Sequence, residues 1–277
     1  VIKKIICPTD FSSVANNAIE YAAKLSQVFN AELMLFHVQV ISPLQEVGIM
    51  LGMGNSNLRG DSRLVANRLK EMSAEINKMF KISCSYAFDI TSKSMAEMIT
   101  SIGFEQSMIV MGTNGSDNLY QYFFGTNTYL VVKKAQCNVL VVPEKVAYGN
   151  VKKMVFLWDR DAKAKYSFFL LNDFFKVFNP QLVFLFVGDK GKKIEIDVFE
   201  DLHKEIIPMI DNKDEISFDQ VYTDNLAATI NERMVSSGAD LLVLNYHQTP
   251  LLKDVFDAPV SRDLIDIAQY PILVLHN

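Results

Sequence analysis

The chain has 277 residues, 49% of them hydrophobic and 21% charged, a composition expected of a soluble globular protein with room for one large or two ordinary domains. No apolar run reaches the length of a membrane span, and a net charge of −5 without a basic stripe argues against DNA or RNA as a partner. Cys7, Cys84 and Cys137 are isolated and odd in number, so they read as buried free thiols rather than a disulfide or metal framework, in a reducing, cytoplasmic compartment.

Strand-like Lys3–Cys7 begins almost at once and no signal-peptide pattern precedes it, so no targeting segment is expected before the fold. This first strand closes on Pro8-Thr9-Asp10. Asp10 is placed to accept a hydrogen bond from an adenine amino group or a ribose hydroxyl; equally, Asp10 or Ser12 can cap the next helix. That helix, Ser13–Phe29, carries Ala15, Ala18, Ile19, Ala22, Leu25 and Phe29 at helical spacing and so buries one face. The second strand, Glu32–Val38, ends with His37, which reads as a packed side chain, and Val38, whose backbone is suited to reading an adenine edge. From Ser42 to Gly60 a long loop is expected, with Gly48, Met50, Gly52, Met53 and Gly54; an ordinary insertion is favoured there over a lid.

A helix is expected at Asp61–Phe80, a strand at Ile82–Phe88, a helix at Ser92–Phe104 and a strand at Met108–Met111. The last strand runs into Gly112-Thr113-Asn114-Gly115, and nine residues later Gly125-Thr126-Asn127 opens a helix, Thr126–Gln136. Singly, each glycine reads as a turn residue. Together, after a strand and before a helix, they offer bare backbone N–H groups to an anion, which points to a nucleotide phosphate site. Gly112 and Gly115 would lie along a ribose and the first phosphates, and Gly125, Thr126 and Asn127 at the terminal phosphates. Lys133 and Lys134 face solvent by periodicity and are not a P-loop lysine, because Gly-x-x-x-x-Gly-Lys-Ser/Thr is absent. A strand at Asn138–Val142 closes this half.

The chain then repeats itself. Lys3–Asp10 recurs as Lys152–Asp159, an offset of 149 that also carries Leu33–Val38 onto Leu182–Val187. The offset falls to 133 where Met108–Gly112 meets Leu241–Asn245 and Val139–Val142 meets Ile272–Leu275, which assigns the 16 extra residues to the segment after the second strand of the first half. Strands near 152–157, 182–187, 216–222, 241–244 and 272–275 repeat the order. Apolar strands alternating with helices indicate an α/β fold with parallel sheets covered on both sides, in two domains, 1–145 and 146–277. Residues 1–145 carry 13 Lys+Arg against 12 Asp+Glu and residues 146–277 carry 14 against 20, so the glycine-bearing half is the one better disposed to an anion. His203, His247 and His276 do not cluster at metal-ligand spacing, and no metal site is expected from them.

Pro8-Thr9-Asp10-Phe11-Ser12, Phe36-His37-Val38 and Gly112-x2-Gly115-x9-Gly125-Thr126, in that order, resemble the universal stress protein family over essentially all of residues 1–145. The stretch from Gly125 to Pro143 is similar to that family's last helix and strand; Asn138 departs from it where proline is usual, and Ser107 where aspartate is common. The resemblance implies tandem Rossmann-like, adenine nucleotide alpha hydrolase-like domains, each with a five-stranded parallel sheet in the order 3-2-1-4-5. It also implies ATP in the crevice with a divalent cation, Mg2+ or Mn2+. By it Asp10 and the Val38 backbone would hold adenine, Pro8 and Gly112 would border the ribose, Gly115, Gly125, Thr126 and Asn127 would hold phosphates, and Thr9 is counted among the nucleotide-binding residues.

The second half resembles a worn member: Gly112, Gly115, Gly125 and Thr126 become Asn245, Gln248, Ala258 and Pro259, while Asp159 keeps the place of Asp10 beside the bulky Trp158. That half is expected not to bind ATP but to serve structure. The family's dimer-forming last strands would pair antiparallel inside one chain through 139–142 and 272–275, and the resemblance allows a homodimer of the whole chain besides. The functional expectation is an ATP-binding stress-response or regulatory protein with no catalytic residue named. A nucleotide-independent interaction scaffold and a slow ATP hydrolase are the alternatives. An ATP pyrophosphatase ranks lower, because Pro8–Ser13 lacks the Ser-Gly-Gly-x-Asp-Ser loop, and a flavin carrier would be coloured.

Overall fold

The computed structural model describes residues 2–52, 56–104, 106–113, 126–158, 164–192, 199–200, 202–207, 210, 215–246 and 269–276. The first half runs β1 (Lys4–Pro8), α1 (Ser13–Phe29), β2 (Glu32–Val40), α2 (Pro43–Met50), α3 (Ser56–Phe80), β3 (Cys84–Thr91), α4 (Met95–Ile102), β4 (Ser107–Thr113), α5 (Thr126–Lys134) and β5 (Asn138–Pro143). The second runs β6 (Lys153–Trp158), α6 (Ala164–Phe178), β7 (Gln181–Asp189), β8 (Ile216–Thr223), α7 (Leu226–Ser237), β9 (Leu241–Asn245) and β10 (Ile272–Leu275), with short 310 and π turns at Lys190–Lys192 and Leu202–Ile206. Ten strands form one sheet in the order β3-β2-β1-β4-β5-β10-β9-β6-β7-β8. Each half is therefore a five-stranded sheet in the order 3-2-1-4-5, parallel throughout, and the fold is two tandem Rossmann-like units.

The central strands are apolar along their length because helices cover both faces: Ile5, Ile6, Cys7, Met108, Ile109 and Val110 are fully buried. Helix α1 begins where Ser12 Oγ accepts the Ala15 N–H and ends at Asn30 in the left-handed region, φ 52°. Its buried face holds Ala15, Ala18, Ile19, Ala22, Leu25 and Phe29, the periodic set seen in the sequence. The three cysteines are free and buried, and burial pushes Cys84 up to about 12 and Cys137 up to about 11, so these thiols are inert. Among the described residues no helix is long and apolar enough to cross a membrane.

The Ser42–Gly60 stretch, expected as a loop, is largely helical. Ser42 and Gln45 form a reciprocal capping box with Pro43 in the first turn, which starts α2, and α3 starts at Ser56 rather than Asp61. No side chain of α2 is buried, so this helix packs no face into the core and rests on its capped start.

The two halves meet where β5 and β10 pair antiparallel, Val141 against Ile272, Leu140 against Leu273 and Val139 against Val274. Each strand covers the other's open edge. Asn138, the departure from the family's proline, accepts the His276 backbone N–H through Oδ1 at 3.2 Å, while the His276 ring donates from Nε2 to the Val132 carbonyl at 2.7 Å. On the opposite face Phe29 packs edge-on against Phe174, and the Ile2 N–H donates to Asp173 at 2.7 Å.

Candidate functional site

The strand order reverses between β1 and β4, and in open parallel sheets the crevice for a ligand lies at the carboxyl ends of such strands. β1 delivers Pro8, Thr9 and Asp10 to that edge. The Thr9 N–H still bonds the Phe36 carbonyl of β2 at 2.9 Å, and the Thr9 hydroxyl accepts from the Phe11 N–H at 3.0 Å. Asp10 is exposed; its Oδ1 accepts from the Ser12 N–H at 3.0 Å. The cap of α1 is thus Ser12, not Asp10, and the Asp10 carboxylate, held by Ser12, stands exposed at this edge. Partial burial works to raise the pKa of Asp10, but the hydrogen bonds from Ser12, with the charge of His37, outweigh it and the value is lowered.

Val38 lies half-buried at the end of β2, opposite Asp89 of β3. Backbone groups of even-numbered β2 residues face β1, as Glu32 N to Lys3 O and Phe36 O to Thr9 N show; odd-numbered ones face β3, as Leu33 N to Ser83 O and Ile41 N to Thr91 O show. Val38 continues the even series two residues past the last bond to β1. Its N–H and C=O therefore project over the end of β1, where a planar ligand edge could meet them.

β4 brings Gly112 and Thr113 to the same edge. A Cβ on Gly112 would stand 2.6 Å from Val14 Cγ1 and 2.7 Å from the Val14 carbonyl oxygen, so this glycine is required by the first turn of α1 whatever ligand lies above it. The Thr113 hydroxyl is buried and has no hydrogen-bond partner among the described residues. Helix α5 starts at Thr126, Asn127 is exposed there, and Thr128 donates to the Gly112 carbonyl at 3.2 Å, tying the helix start to the end of β4. Gly115 and Gly125 lie outside the described residues. Lys133 and Lys134 are exposed, as periodicity predicts.

Three residues not named as ligands also stand at this edge. Phe11 has φ +66°, His37 packs against its ring at 4.9 Å, and the Arg68 guanidinium from α3 lies 4.3 Å from the ring centroid. Arg68 carries no sequence signal, since only the crossover through α3 brings it back to β1.

The corresponding edge of the second half is different. Asn245, in the place of Gly112, is fully buried, and neither amide atom has a hydrogen-bond partner among the described residues. Trp158, in the place of Thr9, is buried opposite Phe186, which holds the place of His37. Asp159, Gln248, Ala258 and Pro259 lie outside the described residues. Among the described residues no three His, Cys, Asp or Glu side chains are grouped to hold a metal; His203 packs on Phe218, and His276 sits in the seam. An open depression lies at the other end of this half, beside Lys152, Lys153, Gln181 and Glu215. Its Asp240 is taken up by the Lys152 and Lys153 N–H groups, at 2.8 and 3.0 Å, so it is a strand-start brace away from the switch point.

The model of the universal stress protein family matches residues 2–143. Universal stress protein MJ0531 of Methanocaldococcus jannaschii is 31% identical over 147 residues, 50% of this chain and 81% of that one. Universal stress protein MJ0577 of the same organism is 26% identical over 157 residues, 52% and 96% of the two chains. Over the whole length, the crystal structure of a universal stress protein from Archaeoglobus fulgidus superposes with a TM-score of 0.75 at 16% identity, covering 99% of this chain and 98% of that one, a likeness of fold. Motif order, strand order and the family match over the first half agree, and the chain belongs to the universal stress protein family.

Proposed function

We propose that this protein binds one ATP-type adenine nucleotide in the crevice of its first domain, residues 1–145, and acts as a regulatory stress-response protein. The second domain, residues 146–277, completes the sheet and does not hold nucleotide. The observation that carries the reading is the convergence at one switch point of three groups: the exposed carboxylate of Asp10, the outward backbone of Val38 and the N-terminus of α5. Asp10 and Val38 would hold the adenine side; Pro8, Thr9 and Gly112 would border base and ribose; Gly115, Gly125, Thr126 and Asn127 would supply phosphate contacts. The Thr113 hydroxyl, where β4 ends, has no partner among the described residues, which fits a polar ligand there. A Mg2+ or Mn2+ ion would ride on the phosphates, because the described side chains supply no three-ligand group for it.

In the second domain Asn245 and Trp158 fill the places of Gly112 and Thr9 with buried side chains. That favours a structural role, exercised through the β5–β10 seam. The test is to identify nucleotide carried by the purified chain by mass spectrometry and to titrate ATP into the stripped protein. Gly115→Val is expected to abolish binding by blocking backbone approach; unchanged affinity in that variant, or no affinity in the parent, would refute the assignment.

A further inference from the structure

We propose that His37 is a positioning residue which, with Phe11 and Arg68, holds the Thr9-Asp10-Phe11 turn so that Asp10 meets the nucleoside part of the ligand in one fixed orientation. The inference rests on the nucleotide reading of the first domain. Three contacts carry it. The Thr9 carbonyl can only accept, so the 2.7 Å contact with His37 Nδ1 requires a proton on that nitrogen. That carbonyl belongs to the Thr9–Asp10 peptide, so His37 pins the plane before the Asp10 Cα. The Phe11 N–H belongs to the Asp10–Phe11 peptide, and its 3.0 Å bond to the Thr9 hydroxyl pins the plane after it. With Oδ1 held by the Ser12 N–H, the exposed carboxylate of Asp10 is presented to a ligand in a set direction.

Holding the turn has a cost that shows it is constrained. Phe11 sits at φ +66°, a left-handed conformation that a bulky L-residue rarely adopts and that persists where surroundings over-determine it. The His37 ring at 4.9 Å and the Arg68 guanidinium at 4.3 Å supply that constraint from β2 and α3. The lowered pKa of Asp10, to which the charge of His37 contributes, agrees with their closeness. The second domain is an internal control: Trp158 and Phe186 are paired in register at the places of Thr9 and His37, and Phe186 has no ring N–H to donate. The clamp is confined to the half that keeps the glycine motif.

The test uses the full chain and ATP calorimetry. His37→Phe keeps a ring but removes the donor, and about tenfold weaker ATP binding is expected from the loss of one half-buried, orienting hydrogen bond. His37→Asn keeps a donor near the Nδ1 position and is expected to recover binding to within about threefold of the parent. Because His37 acts through Asp10, His37→Phe should cost nothing further in an Asp10→Asn background. Arg68 is exposed, so Arg68→Gln serves if His37→Phe fails to fold, and about threefold weaker binding is expected as Phe11 loosens. A parent that binds ATP while His37→Phe and Arg68→Gln bind equally well, or losses at His37 and Asp10 that simply add, would overturn the positioning role and leave the nucleotide reading standing. A parent that does not bind ATP would overturn both.

Discussion

Gly112→Ala separates what the fold needs from what a ligand needs. The added methyl carbon would stand 2.6 Å from Val14 Cγ1 and 2.7 Å from the Val14 carbonyl oxygen, about 0.8 Å inside ordinary contact. The Val14 side chain can rotate away; its carbonyl cannot, because it belongs to the first turn of α1. Relief therefore requires α1 to retreat from β4 and to loosen the packing of Ala18, Ala22 and Leu25, all fully buried. Overpacking of this kind costs about 1–3 kcal/mol. In a chain of this size that lowers the melting temperature by about 2–4 °C per kcal/mol. Urea and thermal unfolding followed by far-ultraviolet circular dichroism, without nucleotide, read the effect directly. Unchanged midpoints would mean that α1 does not press on Gly112, and the demand for glycine would pass back to the ligand alone.

Asn138→Ala leaves the buried His276 N–H without its acceptor and should destabilise the chain by about 1–3 kcal/mol, read as a lower denaturation midpoint. Asn245→Leu replaces a fully buried amide that has no hydrogen-bond partner among the described residues with an apolar group of similar size, and should leave stability unchanged or raise it in the same assay. Asp10 has a lowered folded pKa, so it contributes stability above the ordinary carboxylate value of about 4 and loses it as pH falls through the folded value. Asp10→Asn should therefore be less stable than the parent at pH 7, with the gap closing below about pH 4; a gap that persists in acid would show that the carboxylate charge is not what matters.

The sheet was legible because its signals are local and doubled. Val139–Val142 and Ile272–Leu275 are apolar throughout and sit at one repeat offset, and they are the strands that pair across the seam. Helix α2 was not legible: Leu44, Val47 and Met50 are all exposed, so no buried stripe exists, and only its capping box announces it. At the site, the strand-end positions of Thr9, Asp10, Val38 and Gly112 follow from where apolar runs stop. The grouping of Phe11, His37 and Arg68 does not, since it depends on a left-handed residue and on the path of α3. Gly112 illustrates the limit from the other side. The sequence marks a place where a Cβ is not tolerated, and the structure identifies the intruding neighbour as Val14 of α1.

The stoichiometry of ATP binding to the nucleotide-free full chain, measured by isothermal titration calorimetry with Mg2+ present, bears most directly on the claim that one domain kept the site and the other lost it. One nucleotide per chain, abolished by Gly115→Val, is the predicted result. Two equivalent sites, or no heat at all at millimolar ATP, would contradict it.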